Sequence, residues 1–252
     1  MNQAIKSVFR VFWGFYALFA FGSMVLITTL LVAVLPSLDA RRALARACAR
    51  GIFFVTGIGL KVNAAELLPS GACVVIANHS SYLDGVILTA ALPANFSFVI
   101  KREMTGVPLA HLLLRRLGSE FVERANRRRG AQDAHRIRTR ADKGQALAFF
   151  PEGTFVAEPG LGPFRNGAFA TAARTGLPIV PIIIRGAREI LPAERWLPSP
   201  GNLEVTLTPP IHLAESDSGH TARALLSESR ARMVDLIDEP DLAAGRLAND
   251  DA

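Results

Sequence analysis

An apolar run, Ala72-Cys73-Val74-Val75-Ile76-Ala77, leads directly into Asn78-His79-Ser80-Ser81-Tyr82-Leu83-Asp84-Gly85, and the helix-like stretch Val86–Leu92 follows. This places a histidine where a buried strand gives way to a helix. Ligands of α/β proteins collect at the carboxyl ends of strands, so His79 is sited to act as a general base on a hydroxyl. On one ideal helix, the spacing of His79 and Asp84 would leave them about 140° apart. They meet only if His79 lies in the turn and Asp84 in the first helical turn, where the carboxylate orients the imidazole and stabilises its charged form. Ser81-x-x-Asp84 also has the form of a capping box, in which Asp84 complements the helix N-terminus and does no chemistry. The pair alone leaves both readings open.

Two further strand ends carry residues of interest. Phe149-Phe150-Pro151-Glu152-Gly153-Thr154 follows one apolar run, and Leu177-Pro178-Ile179-Val180-Pro181-Ile182 opens another. Pro-Glu-Gly-Thr taken alone is a turn. No Gly-x-Ser-x-Gly elbow occurs, which leaves Ser80 and Ser81 without the setting of a nucleophile and sets a lipid esterase aside.

In this combination and order the blocks resemble those of the glycerolipid acyltransferases, the family that contains 1-acyl-glycerol-3-phosphate acyltransferase. The resemblance covers roughly residues 60 to 210. It implies His79 as general base on an acceptor hydroxyl and Asp84 as its orienting partner. It implies that the basic residues of Phe98-Val99-Ile100-Lys101-Arg102-Glu103 and Phe121-Val122-Glu123-Arg124 contact the acceptor headgroup, hence Lys101, Arg102 and Arg124. Glu152, Gly153 and Thr154 fall in the block implicated in acceptor binding, and Ile179-Val180-Pro181 in the one tied to the acyl donor and the shape of the site. The implied reaction moves a fatty acyl group from acyl-CoA or acyl-carrier protein, as co-substrate, to a lysolipid hydroxyl, with no redox cofactor and no metal. The expected acceptor is 1-acyl-glycerol-3-phosphate. One departure bears on it: phosphatidate-forming members usually continue the third block with Arg-Ser, whereas this chain has Phe155-Val156. Phenylalanine offers none of arginine's forked donors to a phosphate. Either Lys101, Arg102, Arg124 or Arg165 supplies that charge, or the acceptor is another lysolipid such as lyso-ornithine lipid. A non-catalytic membrane-binding protein is the alternative of a different class, but it would not require His79, Asp84 and Glu152 together.

The elements that must position these residues read as an α/β fold with a central mixed, largely parallel sheet flanked by helices. Strands are expected at Leu60–Asn63, Ala72–Ala77, Phe96–Ile100, Glu120–Val122, Ala146–Phe150, Ile179–Ile184 and Leu203–Leu207. Helices are expected at Leu83–Ala91, Pro108–Leu117, Arg129–Ala141, Asn166–Thr175 and Thr221–Ile237. One acyltransferase domain, residues 59–238, then follows a membrane-anchoring segment, residues 1–58, and precedes a small polar tail, residues 239–252, expected to fray.

In the first segment, Val11–Leu35 has no charged side chain over about 25 residues, against the roughly 20 that span a bilayer as a helix. It is too long for the apolar core of a secretory signal and is expected to be retained. A single span is favoured. Gly22-Ser23 near its middle also permits a bent re-entrant hairpin or an interfacial form. Lys6 and Arg10 precede it and Arg41, Arg42, Arg46 and Arg50 follow it, a pattern that mildly favours the catalytic domain in the cytoplasm; the expected location is the cytoplasmic face of a bacterial inner membrane. Arg41–Phe54 reads as a basic amphipathic helix, which either presents an ordinary solvated face or lies at that surface.

The chain is 50% hydrophobic with a net charge of +6, which excludes a disordered protein and suits an anionic partner such as a lipid surface or an acidic acyl carrier. Lys101–Arg140 concentrates arginine, but with no aromatic interleaving or binding motif it does not point to nucleic acid. Cys48 and Cys73 fit no metal or redox spacing and point to a reducing compartment.

Overall fold

Short runs of Val, Ile, Leu and Ala, uninterrupted by polar residues, form strands buried on both faces, as a parallel sheet covered by helices requires. The computed structural model describes residues 3–123, 126–212 and 222–243. Its strands are β1 (Gly59–Asn63), β2 (Val74–Ala77), β3 (Phe96–Lys101), β4 (Glu120–Val122), β5 (Ala146–Phe149), β6 (Ile179–Arg185) and β7 (Asn202–Leu207). They form one seven-stranded sheet in the order β1-β7-β6-β2-β5-β3-β4. Every pairing is parallel except β6 with β7, so the sheet is mixed and largely parallel. Pro181 stands in central β6, where a missing N–H would ordinarily break the ladder. It faces Thr208, just past the end of β7, and its carbonyl accepts the Thr208 N–H at 3.0 Å.

The helices are α1 (Gln3–Val34), α2 (Leu38–Thr56), α3 (Asp84–Ala91), α4 (Pro108–Arg116), α5 (Arg127–Asp142), α6 (Gly167–Thr175), α7 (Ala187–Ile190) and α8 (Ala222–Leu236). Val75, Ala148 and Ile182 pack on one side of the sheet with Ile52 and Phe53 of α2 and Ile87 and Leu88 of α3. Val74, Leu147 and Ile183 pack on the other side with Ile137 of α5, Phe169 of α6 and Met233 of α8. The result is three layers with the sheet in the middle.

The N-terminal segment is an antiparallel helical hairpin. Its bend lies at Leu35-Pro36-Ser37, not at Gly22-Ser23, which sit inside an unbroken α1. The Tyr16 hydroxyl donates to the Val55 carbonyl at 2.9 Å, and Phe21 meets Phe53 edge to face. A stripe of α1 at helical spacing, including Gly14, Ala17, Thr28 and Val32, is buried against the domain. The opposite face leaves Phe12, Phe19, Leu30 and Val34 exposed, beside Phe54 of α2.

Several arginines expected at a lipid surface turn inward. Arg42 of α2 is buried and donates to the carbonyls of Leu117 and Asn95 and to the Ser97 hydroxyl. Arg46 donates to the Leu92 carbonyl at 2.7 Å. Arg41 and Arg116 donate to the carbonyls at the end of α1, at Ala33, Leu35 and Pro36, and so satisfy groups that a helix terminus leaves unpaired. In the arginine-rich stretch, Arg136 and Arg140 each reach buried Glu120 at 2.7 Å. Part of the expected basic surface therefore fastens one element to another. The tail expected to fray from residue 239 also departs from expectation: Glu239–Ala243 is paired to the loop before α6. Residues 244–252 lie outside the described residues.

Candidate active site

The chain leaves β2 through α3 to β3 on one side and leaves β5 through α6 to β6 on the other. Connections that diverge between adjacent parallel strands open a crevice at their carboxyl ends, where ligands bind. His79 follows β2 and Glu152 follows β5, so the two sit on opposite lips of that crevice.

Asn78 fixes the end of β2. Its side-chain amide donates to the Ile184 carbonyl at 2.9 Å and accepts the Ile184 N–H at 2.7 Å, imitating one more rung of the β2–β6 ladder. The chain then turns, and the Asp84 Oδ2 receives three donors: His79 Nδ1 at 2.8 Å, Ser80 N at 2.7 Å and Ser81 N at 2.9 Å. Asp84 is fully buried. Half of a capping box is present, since Asp84 holds the Ser81 N–H, while the Ser81 hydroxyl donates to the Leu191 carbonyl. The capping and catalytic readings of Asp84 are thus compatible. The carboxylate that closes the turn also orients the imidazole. With Nδ1 bound to a carboxylate that accepts its proton in hydrogen bonding, Nε2 is left as the basic nitrogen.

The imidazole lies among aromatic rings. Phe150 stacks on it with centroids 4.4 Å apart, Phe155 meets it edge-on at 4.6 Å, and Tyr82 meets Phe155 at 4.8 Å. Phe155, where the resemblance implies an arginine, is here part of an apolar wall against His79.

Glu152, expected to bind the acceptor, has both carboxylate oxygens engaged by backbone: Oε1 accepts the His79 N–H and Oε2 the Gly162 N–H, each at 2.7 Å. It ties the two lips of the crevice together. Burial raises its pKa, and the N–H bonds from His79 and Gly162 oppose that rise. Gly153 adopts φ +78° in the turn that presents Glu152, a left-handed conformation that favours glycine. Thr154 is exposed at the mouth. Lys101 ends β3, on the same edge of the sheet as His79 and half-buried. The Arg102 guanidinium pairs with Asp133 at 3.1 Å and with Glu123 at 3.6 Å. Arg124 lies outside the described residues. Arg165 is exposed, and its backbone N–H donates to the Pro151 carbonyl at 2.8 Å, which places it beside the Glu152 turn. Ile179, Val180 and Pro181 are buried within β6 and shape the site by seating β2.

Asn78 and Gly162 have no role that sequence reasoning identifies. An asparagine directly after an apolar strand was a usable signal for the first; nothing local marked the second.

A family model described as Acyltransferase matches residues 59–185, from β1 to the end of β6, and so takes in His79, Asp84 and Glu152. The chain belongs to the acyltransferase family. Among named relatives, it is 30% identical to the chloroplastic 1-acyl-sn-glycerol-3-phosphate acyltransferase LPAT1 of Arabidopsis thaliana over 71% of this chain and 49% of that protein. It is 28% identical to the 1-acyl-sn-glycerol-3-phosphate acyltransferase of Pseudomonas aeruginosa over 71% of this chain and 72% of that one. The chain spans about half the length of the plant relatives it matches. The crystal structure of the 1-acyl-sn-glycerophosphate acyltransferase of Thermotoga maritima shares the fold, with a TM-score of 0.70 at 20% identity, over 93% of this chain and 97% of that one. Among the described residues of this acyltransferase, β7, α8 and the segment after it lie beyond the span matched by the family model.

Proposed function

We propose that this acyltransferase moves a fatty acyl group from acyl-CoA or acyl-carrier protein to the free hydroxyl of 1-acyl-glycerol-3-phosphate, giving phosphatidate. The observation that carries the reading is the His79 Nδ1 to Asp84 contact of 2.8 Å at the carboxyl end of β2. His79 Nε2 takes the proton of the acceptor hydroxyl as its oxygen attacks the thioester carbonyl. Asp84 stabilises the imidazolium that results. The tetrahedral intermediate then collapses, the carbon–sulfur bond breaks, and the imidazolium returns its proton to the departing thiolate. Lys101 is the proposed cation for the acceptor phosphate, with Arg165 beside the Glu152 turn.

The reaction is placed at a membrane surface. α1 would be about 48 Å long at 1.5 Å per residue, yet it is buried along one stripe against the domain from Gly14 to Val32. Its free apolar face suits an interfacial hairpin set in one leaflet more than a helix crossing alone. The cytoplasmic face of a bacterial inner membrane is the proposed location.

The packing of Phe155 on His79 favours one second reading: a lysolipid acceptor whose headgroup needs no forked donor at that position, such as lyso-ornithine lipid. Purified protein in detergent, given labelled acyl-CoA and a panel of lysolipids with hydrolysis blanks, decides between them. Product formed chiefly from 1-acyl-glycerol-3-phosphate supports the first reading, and product from lyso-ornithine lipid with phosphate acceptors at background supports the second. Absence of transfer to any lysolipid overturns both.

A further inference from the structure

The loop from Pro151 to Asn166 carries Glu152 and Phe155 but has little regular structure of its own, so its geometry must come from what grips it. From the inside, Glu152 bridges Gly162 N and His79 N. From the outside, a second set of groups closes on the same loop. Leu161 donates to the Pro240 carbonyl at 2.9 Å and accepts the Leu242 N–H at 3.1 Å, a short strand-like pairing. Gly160 N donates to Glu239 Oε2 at 2.8 Å. Gly160 has φ +145°, and the Leu242 side chain stands where a Cβ would project, so a larger residue would have to displace it.

Two arginines clamp its ends. Arg188 of α7 holds both Glu239 oxygens, at 2.9 and 3.1 Å, and donates to the Val156 and Ala157 carbonyls at 2.8 and 3.2 Å. Arg230 of α8, with 4% of its side chain exposed, pairs with Asp241 and donates to the Leu161 and Gly162 carbonyls at 3.0 and 2.7 Å. Each guanidinium thus joins a carboxylate of the segment to loop carbonyls, one on either side of Gly160. Bidentate pairs of this kind fix geometry as well as adding energy. The connection to His79 is short: the segment sets Leu161-Gly162, the Gly162 N–H sets Glu152, and Glu152 sets the His79 N–H. In parallel, Arg188 holds Val156, next to the Phe155 ring that meets the imidazole.

We propose that Glu239–Ala243, gripped by Arg188 and Arg230, is a strap that positions the active site, fixing the loop that carries Glu152 and Phe155 and through them the His79 imidazole. The proposal rests on the reading of His79 as the base. Its residues touch no substrate and are positioning residues. Displacing a catalytic group by about 1 Å costs on the order of a hundredfold in rate without weakening binding, so the strap should govern kcat more than KM.

The test uses the full chain and three variants in detergent with labelled acyl-CoA and 1-acyl-glycerol-3-phosphate, together with amide hydrogen exchange. In Glu239→Ala, kcat should fall roughly 10- to 100-fold with both KM values within about twofold. The amides of residues 160–162 and of 79–81 should both exchange faster. Glu239→Gln, which restores an acceptor for Gly160 N–H, should recover part of the rate. A chain ending at Ala243 should match the unaltered protein; a loss of rate there equal to that of Glu239→Ala overturns the assignment to the strap. Faster exchange at 160–162 with unchanged kcat and unchanged exchange at 79–81 would show a mere surface fastening and also overturns it. If the unaltered chain transfers nothing to this acceptor, the functional reading fails, while the exchange measurements still decide whether the strap controls the His79 turn.

Discussion

Replacing Asp84 by asparagine removes a charge while leaving a side chain of nearly the same shape. In the native site the carboxylate is fully buried and its Oδ2 lies 2.8 Å from His79 Nδ1. With charge centres about 4 Å apart and an effective dielectric near 20, the attraction between carboxylate and imidazolium is about 4 kcal/mol. In the proposed reaction the imidazolium forms as the acceptor hydroxyl gives up its proton, so this attraction acts on the transition state. Its loss corresponds to roughly a thousandfold in kcat. The same exchange weakens the bonds from Ser80 N and Ser81 N, and stability should fall by about 1–2 kcal/mol. The assay is kcat with saturating acyl-CoA and lysolipid, on protein shown to be folded by circular dichroism and urea titration. A folded Asp84→Asn protein retaining a tenth or more of wild-type kcat would refute the pairing as the source of base strength.

His79→Ala should abolish transfer while the protein stays folded and membrane-bound, measured by single-turnover acyl release and vesicle sedimentation. Burial, outweighing the N–H bonds from His79 and Gly162, holds the Glu152 carboxyl above its usual 4.5, so the native chain keeps a proton there that the unfolded chain has released. Stability should therefore fall as pH rises from about 4.5 through that raised value; the contribution should vanish in Glu152→Gln, as read from the difference between the two urea-unfolding profiles. Phe155→Arg restores a forked donor beside His79 and should lower KM for 1-acyl-glycerol-3-phosphate by roughly 10- to 100-fold, the equivalent of about 1.5–3 kcal/mol; unchanged KM in a folded protein would place the phosphate elsewhere. Serine at Phe12, Phe19 and Phe54 together should release the protein from anionic vesicles at moderate salt, and continued sedimentation would show that their exposed face is not the one that meets lipid.

The sheet was legible because strands buried on both faces leave an unmistakable trace: Val74–Ala77 and Ile179–Ile184 contain nothing polar, and turn residues bound them. His79 and Asp84 were legible because five residues suffice to describe their turn. What escaped reading joins distant parts of the chain. Glu152 reaches back 73 residues to His79, and Arg188 reaches forward 51 to Glu239; no local pattern tells such a carboxylate or guanidinium from a solvated one. Arg42 misled for the same reason. It sits among polar and small residues that read as an exposed helix face, but its carbonyl acceptors at Asn95 and Leu117 belong to elements that arrive later in the chain. Arg102 stands beside Lys101, and its partners Glu123 and Asp133 likewise belong to elements that arrive later in the chain.

The place of β7 in the sheet has a consequence for synthesis on the ribosome. Among the described residues β1 pairs with β7 alone, Gly59 lying against Asn202, so its backbone donors meet that strand only after some 143 further residues have been added. At roughly 5–20 residues per second that interval is about 7–30 s. Throughout it, the two helices of the N-terminal hairpin have already been translated while the sheet they will lean on lacks an entire border. A nascent chain with a greasy hairpin and an open strand edge is exposed to aggregation, and a bilayer near the ribosome would shield the hairpin during that time. With the hairpin at a membrane surface as proposed, the order of strands makes early contact with lipid an aid to folding.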